Sequence, residues 1–499
     1  MRKQTNLKIN IFIAVYVFIL MLLYINSSPV KNIMGTDSSV FIAMGRGMLK
    51  GKVIYRDLFD HKGLYIFLIN CLAAVISSKS LIGLFIIECI FMFASARIVY
   101  ALFRMYGDEK VSFLGMQIFM IVAIHSRIIE GGNLTEEYAL PFQLCAIYLV
   151  ARYLHADMKE HPPFYMFLHG IFAGIVLFLR PNMIMMWGAV GILAGLDLLR
   201  RANFKCLMKN FFAGLSGLLV GSAPVMLYVA ANNIIDEAVF AAFLLNIDYL
   251  DYRNIPATLV ARMLRMILNP SHIILMSMIF LSCIILLRKN KRGIYTLYYL
   301  LMLFMSLIAV SLSGRKYGHY YIYLLPFVLP FAYSLAQQVK TSKPSKYKYA
   351  VSAVFVLNLL SGLPTPNSVK LMFGRTIPPE IPIAKIIEYN KPYYSENEMV
   401  LVTGINADIY NRLGLTPQEK YFYTPALSYQ AFPDAADAQA ASIISGINDV
   451  IIIPYGNGSD KIYPETGRSE EIKQVLESKY NLLFYDEKSN TAMYGRKPD

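Results

Sequence analysis

Apolar runs of about 18 residues or more recur along most of this chain, and only a bilayer gives such a series its solvent. The candidate spans, some a little shorter, lie roughly at 9–26, 81–103, 111–125, 137–154, 164–179, 182–199, 210–230, 272–287, 294–312, 320–338 and 348–363. They predict a mainly α fold, a polytopic helical membrane bundle of about eleven spans. Apolar residues make up 56% of the 499, with a mean hydropathy of +0.46. The final stretch is different. Met399–Thr403, Asp449–Ile453 and Asn481–Tyr485 read as buried strands, and Glu470–Lys479 has helical spacing, which predicts a small α/β domain. The domains expected are a membrane part over 1–363, a proline-rich linker over 364–382 and a soluble domain over 383–499.

Charge placement sets the expected topology. Residues 1–363 carry 34 Lys and Arg against 16 Asp and Glu, and residues 364–499 carry 13 against 17. The basic excess thus belongs to the membrane part, where cytoplasmic loops and lipid phosphates account for it without nucleic acid. The stretch 64–78 is apolar but short. If it lies at the outer surface, the cytoplasmic loops hold Arg104/Lys110, Arg152/Lys159, Arg200/Arg201/Lys205/Lys209, Arg288/Lys289/Lys291/Arg292 and Lys340/Lys343/Lys346/Lys348. That satisfies the positive-inside rule, so 64–78 is read as an interfacial helix and the tail as extracytoplasmic. Ile9–Ile25 follows Arg2, Lys3 and Lys8 without a cleavage pattern, and reads as a retained anchor with a cytoplasmic N-terminus. The five cysteines all precede residue 364 and have no metal-type spacing.

Four external loops then carry unusual polarity. The first holds Asp37 and Arg56, Asp57, Asp60, His61 and Lys62. The second is Glu130-Gly131-Gly132-Asn133-Leu134-Thr135-Glu136-Glu137. The third is Arg180-Pro181-Asn182, and the fourth runs from Ser313 through Arg315, Lys316, Tyr317 and His319 to Tyr321. Each residue has a plainer reading. Asp37 could cap a helix over Ser38–Lys50, Arg180 could snorkel, Glu136 or Glu137 could complement a helix dipole, and His319 could sit in an aromatic belt. The external lysines and arginines of 27–80 could contact lipid headgroups or line an anion pocket. As a set they supply carboxylates for proton removal and cations for a phosphate.

The layout resembles the GT-C superfamily of membrane glycosyltransferases, and most of all glycosyltransferase family 39 and the aminoarabinose-transferase-like group. Asp37 in Gly35-Thr36-Asp37-Ser38 matches the aspartate of their first external loop. His61-Lys62-Gly63-Leu64 is similar to their Lys-Pro-Pro segment, with glycine in place of proline. Glu136 or Glu137 stands where a second acidic residue opens the fourth span. Arg180-Pro181-Asn182 and the run Arg315–Tyr321 resemble motifs of bacterial members. The resemblance covers about residues 9–363. It implies inverting transfer from a polyprenyl-phosphate sugar to a glycan, lipid or protein acceptor at the outer face of a plasma (inner) membrane.

On that reading Asp37 is the general base. Lys62, Arg315, Lys316 and His319 serve the departing phosphate, with Arg56, His61, Arg180 and Tyr317 on the substrate side. Glu130, Glu136, Glu137, Asp57 and Asp60 orient these groups or hold a divalent cation such as Mg or Mn. No clean metal signature is present, so metal-independent action is expected. Two rivals remain. A transporter or flippase for lipid-linked sugars would use intramembrane acids such as Glu88 and Asp197. A non-catalytic scaffold would tolerate loss of Asp37.

Overall fold

The structure is a computed structural model of the chain. It describes residues 2–156, 158, 161–248, 258–289, 293–341, 348–362, 400–403, 407–425, 427, 429–430, 432–454, 466–486 and 491–497. The expected linker 364–382 lies outside the described residues, as do Lys159, Lys291, Arg292, Lys343 and Lys346 of the basic loops.

The chain forms two compact units. The first comprises Met1–Asn32, Phe85–Tyr228 and Tyr252–Thr365. It is all helical among the described residues and includes α1 (Arg2–Tyr24), most of α4 (Ile82–Arg104) and α5 (Glu109–Ala123). All eleven expected spans fall on helices. Seven of these are long and apolar enough to cross a bilayer: Leu7–Tyr24, Ile82–Arg104, Pro181–Arg200, Phe204–Asn232, Pro270–Arg288, Ile294–Ser311 and Gly318–Lys340. The helices Glu109–Ala123, Pro163–Leu177 and Lys348–Gly362 are shorter, and Thr135–His155 is longer but carries Glu136, Glu137 and Arg152. Leu7, Ile11, Phe12 and Val15 on α1 are exposed, as are Phe211, Phe212, Leu219 and Leu227 on the Phe204–Asn232 helix. In water these faces would aggregate, whereas lipid solvates them.

Where helices meet inside this unit, small residues let the backbones touch. A Cβ on Gly217 would sit 2.0 Å from the Phe167 carbonyl oxygen, and one on Gly170 would sit 2.1 Å from that of Gly214. Gly174 and Gly221 extend the same seam, so the Pro163–Leu177 and Phe204–Asn232 helices pack glycine against glycine. Elsewhere Gly318–Val328 is a fully buried 3-10 helix of 11 residues, longer than such helices usually run. Tyrosine hydroxyls anchor it: Tyr321 donates to the Met266 carbonyl at 2.8 Å and Tyr323 to that of Met183.

The second unit comprises Ile33–Leu84, Val229–Asp251 and Pro366–Asp499. Here α2 (Thr36–Leu49) packs on α3 (Leu64–Ile76). A Cβ on Gly45 would lie 2.5 Å from the Asn70 carbonyl carbon, and Phe41 meets Phe67 edge-on at 6.0 Å. At 13 residues, α3 is about 20 Å long, short of a bilayer core of about 30 Å. The tail builds a four-stranded sheet from β1 (Val400–Val402), β2 (Val450–Pro454), β3 (Tyr480–Asp486) and β4 (Thr491–Arg496), in the order β1-β2-β4-β3. β1 runs parallel to β2, and the other pairs are antiparallel. Leu401, Ile443, Ile451, Ile453, Ile472 and Leu476 form its core. Three strands and the Ser469–Lys479 helix stand where the sequence pattern puts them, and β4 is additional.

The glycine seam is testable. Gly217→Ala should lower the thermal midpoint of the detergent-solubilised protein, with overpacking costing about 1–3 kcal/mol. Gly188→Ala, which meets nothing within 4 Å, should not. Equal midpoints, read by a fluorescence melt, would remove the seam from the packing.

Candidate functional site

In the first unit the polar residues gather on the segment Glu130–Glu137. Four successive residues there have positive φ: Glu130 (46°), Gly131 (98°), Gly132 (95°) and Asn133 (57°). A run of left-handed residues is costly for anything but glycine, and close approach fixes both glycines. A Cβ on Gly131 would lie 2.1 Å from Asn26 Nδ2, and one on Gly132 would lie 2.3 Å from Glu88 Oε1.

This turn aims its acids in three directions. Glu130 accepts from the Gly318 N–H at 2.9 Å and from His319 Nδ1 at 2.6 Å. An ionised carboxylate can only accept, so Nδ1 carries a proton, and Nε2 is left to give or take another. Glu136 pairs with Arg180 and accepts from Thr135 Oγ1 at 2.8 Å. The Arg180 guanidinium lies 4.2 Å from the Tyr320 ring centroid, and Tyr320 meets the His319 ring edge-on at 4.9 Å. Tyr317 stacks on His319 at 5.4 Å and meets Tyr320 edge-on at 5.5 Å. Two carboxylates, an arginine and a histidine thus form one network around Tyr320.

Glu137 points elsewhere. It is buried, and neither oxygen makes a well-formed hydrogen bond. Its charge acts on Glu88 of α4, which is wholly buried and accepts from Ser27 Oγ and, at 2.7 Å, from the Asn133 N–H. Adjacent glutamates therefore differ: Glu136 is an ion-pair partner and Glu137 faces a second acid. Arg315 is half-buried, its N–H on Ser313 Oγ, and Lys316 is exposed. In the loop after α1, Lys31 donates to the Tyr24 carbonyl at 2.6 Å, and burial pushes its ammonium down to about 8.

The second unit holds the rest. Asp37 stands in the first turn of α2, half-buried, with no side-chain partner among the described residues. The N-cap is Gly35, so Asp37 is not the cap that its residue type allows. Its charge still complements the helix dipole. Asp60 and His61 are buried. Asp60 Oδ1 accepts the Lys62 N–H at 3.0 Å and lies 3.3 Å from His61 Nδ1, while Lys62 Nζ lies 3.2 Å from His61 Nε2. An ammonium only donates, so Nε2 accepts and Nδ1–H faces Asp60. Tyr55 Oη donates to the Lys62 carbonyl at 2.7 Å and Asn246 Nδ2 to that of His61 at 2.9 Å, fixing the row from behind. Arg56 and Asp57 pair at the surface at 3.1 Å. The Arg56 hydrogen bond holds the Asp57 carboxyl below the usual range, and Asp57 also accepts the Val53 N–H that closes the turn.

Ser27, Asn133, Tyr320 and Gly318 escape a reading by charge alone. The Gly131-Gly132 doublet signals only its own close approaches, to Asn26 and Glu88.

The family model of the competence-induced protein Ccs4 N-terminal domain matches residues 2–360. The chain belongs to this family. No curated protein matches the Ccs4-family chain. Its architecture does match solved structures. ArnT from Cupriavidus metallidurans bound to undecaprenyl phosphate superposes with a TM-score of 0.66 at 10% identity, covering 99% of each chain. The apo form of that ArnT gives 0.65 at 10% identity over 100% of both. AglB from Archaeoglobus fulgidus aligns at 0.47 and 14% identity over 99% of this chain and 74% of its own, too loosely to bear on the fold. The Ccs4-family chain therefore has the fold of ArnT.

The two adjacent glutamates should part on mutation. Glu136→Gln leaves Arg180 without its anion and should cost about 3 kcal/mol, seen as a lower thermal midpoint in detergent. Glu137→Gln removes one of two facing acids and should leave the midpoint unchanged or raise it. A fall of similar size for Glu137→Gln would refute this division of roles.

Proposed function

We propose that this chain is an integral membrane glycosyltransferase that moves a sugar from a polyprenyl-phosphate donor to an acceptor at the outer face of the membrane, with inversion. The observation that carries the reading is a full-length likeness in fold to ArnT, which has been crystallised with undecaprenyl phosphate. The site residues give it chemical content. Asp37 takes the proton from the acceptor hydroxyl while that oxygen bonds to the anomeric carbon. The bond from carbon to phosphate oxygen breaks, and the lipid phosphate leaves with the electron pair and the charge. Lys62, oriented by the Asp60–His61 row, meets that charge. Arg315, Lys316 and His319 are assigned phosphate-side roles by their charge. Glu130 fixes the His319 tautomer and Glu136 fixes Arg180. Charge neutralisation is thus assigned to side chains rather than to Mg or Mn. The acceptor is a glycan, lipid or protein, the N-terminus is cytoplasmic, and the tail is extracytoplasmic.

One observation favours a second reading. Glu88 is a wholly buried acid on an apolar helix, as a transporter of lipid-linked sugars would need.

Purified protein should transfer sugar from a member of a radiolabelled polyprenyl-phosphate sugar panel. Asp37→Asn should lose at least about 100-fold in rate, the scale of a general base, while retaining donor binding. Equal rates would remove Asp37 from the mechanism. Lipid flipping in reconstituted vesicles without transfer from any donor would overturn the enzyme in favour of the transporter.

A further inference from the structure

The helix that presents Asp37 is held from the far end of the chain. The first turn of α2 has no side-chain cap at Gly35. What fixes it lies two residues past Asp37, at Ser39, which is fully buried. Ser39 Oγ donates to the Thr36 carbonyl at 2.6 Å and accepts the Ala407 N–H at 3.0 Å. The Ser39 carbonyl accepts Asn411 Nδ2 at 2.7 Å. Two turns along the same helix, Arg46 Nη1 donates to the Asn411 carbonyl at 2.9 Å and to its Oδ1 at 3.3 Å. Both Ala407 and Asn411 belong to the tail, at and inside the short helix Asp408–Leu413 that packs on α2.

The side-chain amide of Asn411 is used at both ends. Its N–H binds the carbonyl of the turn that carries Asp37, and its oxygen takes Arg46. Aspartate at this position would keep the acceptor but lose the donor, and alanine would lose both. These bonds are not needed for the tail's own core, which is formed by the sheet and the helices Pro433–Ser445 and Ser469–Lys479. Their effect falls on α2.

We propose that Asn411 is a positioning residue: through Ser39 it sets the orientation of Asp37, so the tail domain completes the reactive geometry. The proposal rests on the reading of Asp37 as the base. It predicts a role for the tail that involves no substrate contact.

The test uses full-length protein and two readouts. In sugar transfer, Asn411→Ala and the isosteric Asn411→Asp should each lower kcat about 10- to 100-fold, the effect of misplacing a reacting group, with donor KM unchanged. Lys473→Ala, on the Ser469–Lys479 helix where Lys473 pairs with Glu470, should change neither. The second readout does not depend on activity. An Asp37→Cys variant is labelled with a membrane-impermeant maleimide, and the label at position 37 is quantified by mass spectrometry. Adding Asn411→Asp should change its labelling rate when both variants are labelled well below their thermal midpoints. If Asp37→Asn is inactive but Asn411→Asp retains wild-type kcat and labelling, the positioning role is overturned and the base assignment stands. If Asp37→Asn is fully active, the base assignment fails, and the labelling readout alone decides whether Asn411 orients the turn. A rise in donor KM with unchanged kcat would make Asn411 a binding residue and overturn the proposal.

Discussion

A protein interior offers no water to a stranded charge, so an acid buried in this chain is stable only where it finds a partner. That constraint organises the first unit. Glu136 is buried because Arg180 is there to meet it, and Arg180 is held over Tyr320 because the guanidinium needs a second favourable surface. Tyr320 lies on a tight buried helix pinned by tyrosine hydroxyls from further along, and the same helix brings His319 to Glu130. The strained turn at Glu130–Asn133 is the cost of placing three acids on one short segment and sending each a different way. Glu137 is the exception that gives the arrangement its meaning. A buried acid facing another buried acid contributes little to stability and is retained, if at all, for what it does.

The second unit solves a different problem. Asp60 and His61 are buried while Asp37 and Lys62 are half-buried, and orientation is the scarce quantity. Asp60, His61 and Lys62 are consecutive, and three consecutive side chains do not align by default. They align here because Tyr55 and Asn246 bind the backbone carbonyls behind them. Asp37 has no such row. Its orientation is inherited from α2, and α2 is packed by Gly45 against α3 and bonded at Ser39 and Arg46 to the tail.

Much of this was legible in the sequence, for stated reasons. Apolar runs of bilayer length report helices almost regardless of context, so all eleven expected stretches are helical. Strands such as Val450–Pro454 are short and wholly apolar, and periodicity finds them. Thr491–Arg496 escaped because its apolar residues, Ala492, Met493 and Tyr494, are few and follow no alternation, and it is a strand only because β2 and β3 flank it. In the site, charged residues in external loops were visible as a class, but pairing was not. Nothing in the spacing of Glu136 and Glu137 says which one meets Arg180, because the answer lies in the rotation of a helix whose preceding turn is irregular. Glu88 drew notice as an intramembrane acid, yet its partners Ser27 and Asn133 come from distant segments.

The Ser39–Asn411 bond is the extreme case, since 372 residues separate its two ends. No local pattern can encode such a contact, and closing so long a loop is slow to be rewarded during folding. At about 5–20 residues per second, α2 is made some 20–70 s before the helix that binds it. Through that interval Ser39 lacks both partners from the tail, the Ala407 N–H on its hydroxyl and the Asn411 amide on its carbonyl. The bonds that hold the Asp37 turn of α2 thus wait for a segment made long after it. If Asp37 is the base, as proposed, the tail bears on the chemistry through Ser39 and Arg46 of α2.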